Sequence, residues 1–69
     1  MQIGQVLKPH EYNILELAVG MVVRYYFNGI PTICRVVNNP TSPVRRLVSL
    51  LDSKFYAGTH GPIEVLSLK

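Results

Sequence analysis

The side chains of this chain that could do chemistry are few and scattered. Cys34 is the one cysteine, His10 and His60 are the two histidines, and the acids are Glu11, Glu16, Asp52 and Glu64. Cysteine and histidine together could supply zinc ligands. Their spacing fits no metal-binding pattern, however, and each histidine sits beside a proline or a glycine, in "KPHEY" and "THGP". A reactive thiol needs a cation or a helix N-terminus to lower its pKa. Cys34 lies instead in the apolar run "IPTICRVV", which suits a buried structural thiol. No two acids have the spacing of a general acid–base pair. Asp52, in "LLDSKFY", suits a turn, and no glycine-rich phosphate loop is present. These residues argue against an enzyme, and neither cofactor nor metal is expected.

The more promising set is Arg24, Tyr26 and Arg35, because arginine pairs with phosphate and tyrosine stacks on a base. Arg45, Arg46, Lys54, Phe55 and Tyr56 could extend such a surface. Whether these residues share a surface depends on the elements that carry them.

Asn28-Gly29 is the strongest local signal. It stands between two β-branched and aromatic runs, where a two-residue hairpin turn needs positive φ at both positions. That turn sets a register in which Phe27 faces Ile30, Tyr26 faces Pro31, Tyr25 faces Thr32, Arg24 faces Ile33 and Val23 faces Cys34. Tyr26 and Pro31 then form a non-hydrogen-bonded pair, so Pro31 withholds no donor from the hairpin. It withholds one from any strand on the other side, and the second strand should be unpaired or bulged there.

The same register sorts side chains by face. Met21, Val23, Tyr25, Phe27, Ile30, Thr32, Cys34 and Val36 make a core face. Val22, Arg24, Tyr26, Ile33, Arg35 and Val37 make a second face, half apolar and half basic. Three further runs, 44–52, 54–57 and 63–68, are each bounded by turn residues and bring the expected strands to five. Pro9 and Gly20 suit the ends of a short helix with Tyr12, Leu15 and Val19 on one face, although "YNILEL" reads equally well as an extended lead-in.

The stretch "LAVGMVVRYY" (17–26) resembles the opening of SH3-like small barrels, where a leucine and a glycine precede the first long strand. The resemblance implies a mostly β fold, a small five-stranded antiparallel barrel over 20–69 with 1–19 as an N-terminal arm or short helix. Residues 1–69 are read as a single domain.

Composition bears on the partner. Hydrophobic residues are 48% of the 69 and charged residues 16%, against roughly 25% charged in ordinary domains. A chain this short buries only about 60% of the surface its unfolded form exposes. Some apolar surface is therefore expected to meet a partner. The sequence pI of 9.4 arises from scarce acids, 4 Asp plus Glu against 7 Lys plus Arg, and not from basic enrichment. No run approaches the roughly 18 apolar residues that span a bilayer. No membrane association is expected, and the lone cysteine points to the cytoplasm.

Two functional expectations follow. The first is a non-enzymatic interaction module that self-associates or docks on a protein through Val22, Arg24, Tyr26, Ile33, Arg35 and Val37. The second is a nucleic-acid-binding domain using Arg24, Tyr26, Arg35, Arg45, Arg46, Lys54 and Tyr56. The turn gives the first test: Gly29→Val forces positive φ on a β-branched residue and should lower stability by about 1 kcal/mol or more in denaturant titration. An unchanged midpoint would remove the turn.

Overall fold

In the computed structural model, which describes residues 1–58 and 60–68, Asn28 and Gly29 have φ of 52° and 79°, as the hairpin turn requires. Strands β2 (Val22–Phe27) and β3 (Ile30–Val36) pair on either side. Their partners are Phe27–Ile30, Tyr26–Pro31, Tyr25–Thr32, Arg24–Ile33, Val23–Cys34 and Val22–Arg35. This is the register the turn predicts.

The rest of the sheet grows outward from this hairpin. Strand β6 (Ile63–Ser67) pairs antiparallel with β2. Strand β4 (Leu47–Ser49) pairs with β3 at Cys34, Arg35 and Val36. Strand β5 (Phe55–Tyr56) pairs with β4, and β1 (Val6–Leu7) pairs with β6. The order across the sheet is β1-β6-β2-β3-β4-β5. No β4 residue pairs with Ile30–Thr32, so β3 is unpaired on its outer side at Pro31, and pairing resumes only when Leu50 donates to the Ile33 carbonyl.

The five-stranded barrel is corrected in two respects: the described residues form six strands, and the sheet stays open, with β1 and β5 as its edges. The sixth strand comes from the N-terminal arm. Gly4 donates to the Val65 carbonyl and Val65 to the Gln5 carbonyl, which fastens the arm to β6. The SH3-like resemblance thus survives only loosely, as a small antiparallel all-β fold.

The single helix of 9–19 is also corrected. Its place is taken by two 3-10 turns, Pro9–Glu11 and Ile14–Glu16. Tyr12 between them is extended (φ −140°, ψ 155°), and the Asn13 side chain accepts from the Leu15 backbone to start the second turn. The extended tyrosine lets its hydroxyl donate to the carbonyls of Gly58 and Gly61. Ile14 and Leu17 consequently enter the core while Leu15 and Val19 stay exposed.

The core gathers on one face. Leu7, Val23, Tyr25, Cys34, Val36, Leu47, Ile63 and Val65 come from the strands, and Ile14, Leu17 and Met21 from the segment between β1 and β2. Each fully buried side chain of this size contributes roughly 1.5–3 kcal/mol by leaving water. The rings of Tyr25, Phe27 and Tyr56 form a cluster, with Tyr25–Tyr56 at 5.6 Å and Phe27–Tyr56 at 5.4 Å between centroids. Of the expected core face, Ile30 is exposed.

Gly61 lets the chain enter β6 close against β2. A Cβ there would lie 1.8 Å from the Tyr26 carbonyl oxygen, and Tyr26 itself donates to the Pro62 carbonyl. Gly61→Ala must separate the two backbones. It should cost about 2 kcal/mol or more, which for a domain of this size lowers the thermal midpoint by roughly 10 °C. A midpoint within experimental error of the parent would show that 61–62 does not lie against Tyr26.

Candidate functional site on the outer sheet face

Alternation along β2 and β3 turns Val22, Arg24, Tyr26, Ile33 and Arg35 away from the core. Neighbouring strands extend this outer face by register. Glu64 on β6 lies beside Arg24 and Val6 on β1 lies beside Glu64. Val48 on β4 lies beside Arg35 and Phe55 on β5 lies beside Val48. One cross-strand row therefore reads Val6, Glu64, Arg24, Ile33, and the next reads Val22, Arg35, Val48, Phe55. A bulge between Val22 and Val23 shifts the β2–β6 register, so that Val23 pairs with Val65 while Val22 pairs with Ser67.

Arg24 is not a free cation. Its Nη1 lies 2.6 Å from Glu64 Oε1. The side-chain hydrogen bond with Tyr26, followed by the contact with Glu64, raises the guanidinium pKa further above its ordinary range. Of the two arginines on this face, Arg35 is exposed and has no ion pair with a carboxylate among the described residues. Val37 lies past the end of β3, half-buried, and both donates to and accepts from Arg46.

The extended basic set divides. Arg46 is buried, donating to the carbonyls of Val37 and Ile14; it supports the fold from within and is not on the outer surface. Tyr56 is half-buried in the aromatic cluster. Lys54 is exposed, 4.0 Å from Asp52. Arg45 is exposed and lines a shallow cleft of about 280 Å³ with Phe27, Phe55, Tyr56, Ala57 and His60. The basic residues named from sequence thus do not meet in one place. The sequence reading missed Glu64, because the β2–β6 pairing has no turn to announce it. It also missed Val48, whose outward place follows once Leu47 and Ser49 are buried on either side.

The other chemistry-bearing groups are apart from this face. Among the described residues no three histidine, cysteine or acidic side chains gather into a metal-binding group. His60 packs edge-on against Phe27 at 5.9 Å. Asp52 occupies the β4–β5 turn, where its carboxylate accepts from the Lys54 backbone and is held below the usual range chiefly by that bond. Cys34 is buried among core side chains, and burial pushes its thiol up to about 11. Burial also pushes the Tyr12 hydroxyl up to about 12. No described helix is long and apolar enough to cross a membrane.

The chain matches no protein-family model, and no curated protein or solved structure matches it at a significant level.

Both raised groups act on stability in the same direction. Each ionises more readily in the unfolded chain, so the unfolded state holds fewer protons at alkaline pH and stability falls as pH rises. The Cys34 contribution is intact below pH 9.0 and lost towards about 11; that of Tyr12 is intact below 10.0 and lost towards about 12. Denaturant midpoints should therefore decline from pH 9 upward, and Cys34→Ala with Tyr12→Phe should flatten that limb. Native Cys34 should react with a thiol reagent far more slowly than in denaturant. An unaltered alkaline limb in the double variant would contradict the assignment.

Proposed function

We propose that this chain is a non-enzymatic interaction module that binds protein, a second copy of itself in the first instance, through the outer face of the sheet. The observation that carries the reading is the apolar exposure along the register rows. Val6, Ile33 and Phe55 are exposed on that face, and Leu50 and Leu51 follow directly beyond β4. Val22 and Val48 lie between them, half-buried. Isolated exposed apolar residues are ordinary, whereas residues adjacent by strand pairing form a patch. A standard interface covers about 800 Å² per partner, roughly a fifth of the 4376 Å² that this chain exposes. The outer face of a six-stranded sheet can supply that area.

Charge supports the same reading over nucleic acid. Arg24 is matched by Glu64, and Arg46 lies inside. Arg35, beside Val22 and Val48, can lay its aliphatic stem over apolar neighbours and still present its head at a rim.

Sedimentation at micromolar concentration should report a dimer or larger species. Ile33→Asp places an unpaired charge at the contact and should shift it to monomer by weakening association at least about tenfold. A monomer at every accessible concentration would overturn self-association. The rival is tested by replacing Arg24 and Arg35 with alanine together. A nucleic-acid interface would lose about two units of log–log salt slope on duplex DNA. The expected result is weakened assembly with no nucleic-acid binding to lose; submicromolar binding at physiological salt, abolished in a folded double variant, would overturn the proposal.

A further inference from the structure

One charged side chain lies inside the molecule with no opposite charge beside it. Arg46 is 8% exposed. Its Nε donates to the Val37 carbonyl at 3.3 Å and its Nη1 to the Ile14 carbonyl at 2.6 Å. Carbonyls solvate a guanidinium but do not neutralise it. The ion pairs among the described residues are Arg24–Glu64 and Lys54–Asp52, so no carboxylate of the described chain reaches Arg46. A desolvated cation left without a counter-charge is costly.

Nη2 donates to no described residue, yet among the described residues no buried side-chain nitrogen or oxygen lacks a partner, so Nη2 keeps some exposure. Arg46 itself lines a groove of about 530 Å³ with Leu15, Asn38, Asn39, Pro40 and Pro43. The groove loop has internal bonds of its own: Asn39 Nδ2 donates to the Arg45 carbonyl, and its Oδ1 accepts from the backbone and hydroxyl of Thr41. Asn38 is exposed at the rim, with an amide able to donate. Leu15, Pro40 and Pro43 give apolar, exposed walls.

We propose that this groove binds an acidic segment of a partner protein, with an aspartate or glutamate carboxylate on Arg46 and its apolar neighbour against Leu15 and the prolines. One cation in the groove balances one carboxylate, and a guanidinium edge matches a carboxylate in geometry. Among the described residues no aromatic side chain lines the groove, which offers no platform on which a nucleobase would stack. The site shares none of its lining with the outer-face rows and stands independently of the function proposed for them.

The test is a proton–nitrogen NMR titration of the full chain with acetylated aspartyl-leucine amide, its asparaginyl analogue, and inorganic phosphate. The aspartyl compound should give saturable shifts at the Leu15, Asn38 and Asn39 amides, and the neutral analogue should bind about tenfold more weakly, the factor that loss of one charged pair produces. Asn38→Asp, at an exposed position, supplies a carboxylate from the rim; it should raise the thermal midpoint at low salt and weaken the aspartyl compound by a similar factor. Equal binding of the two analogues, saturation at other residues, or no saturable shift would overturn the proposal. Tighter binding of phosphate than of the aspartyl compound would overturn the assignment of the ligand as a carboxylate.

Discussion

Two residues at positive φ, Asn28 and Gly29, hold β2 and β3 in the pairing to which every later strand refers. Strand β2 takes β6 on its free side and β3 takes β4, so the hairpin lies at the centre of the sheet. A slip of one residue in this pairing would turn one of the two strands over relative to the other. Were β3 the one to slip, Cys34 and Val36 would be carried outward, with Ile33 and Arg35 carried inward. Burying that guanidinium without a partner is costly, and the register is therefore specified twice, by local geometry and by the faces it sorts.

A chain of 69 residues cannot close its core with the sheet alone. The N-terminal segment completes it, and polar contacts fix where that segment lies. The Tyr12 hydroxyl donates to the carbonyls of Gly58 and Gly61, joining the first 3-10 turn to the approach to β6. Arg46 donates to the Ile14 carbonyl, joining the second turn to the start of β4. Ile14 and Leu17 are carried between these two anchors into the core. A continuous helix over the same residues would place Tyr12, Leu15 and Val19 on one side and would satisfy neither anchor.

What was legible in the sequence was local. Asn28-Gly29 gave the register, Pro31 gave the unpaired side of β3, and alternation gave the two faces of the hairpin. The β1 strand was not legible, because Val6–Leu7 is too short to show a period and exists only through its bonds to β6. For the same reason Glu64 could not be placed beside Arg24: their pairing spans 40 residues and no turn connects them. The sequence places Arg46 with Arg45 among the residues that could extend a basic surface, whereas Arg46 is buried. Both residues precede β4, and Arg46 is turned inward by its bonds to the Val37 and Ile14 carbonyls, contacts distant in sequence that no local pattern announces.

The net charge of +3 acquires its meaning from where the acids sit. Glu11 accepts from the Lys8 backbone and Asp52 from the Lys54 backbone, so these two carboxylates serve turns. Glu64 alone is placed on an arginine, Arg24. A positive balance produced by missing acids therefore does not form a continuous basic field, as a phosphate backbone would require. It leaves separate arginines, Arg35 on an apolar face and Arg46 beneath a groove walled by leucine and proline. Cations set singly in apolar surroundings suit a partner that brings one carboxylate with apolar residues around it, and this is the physical ground on which we propose a protein partner.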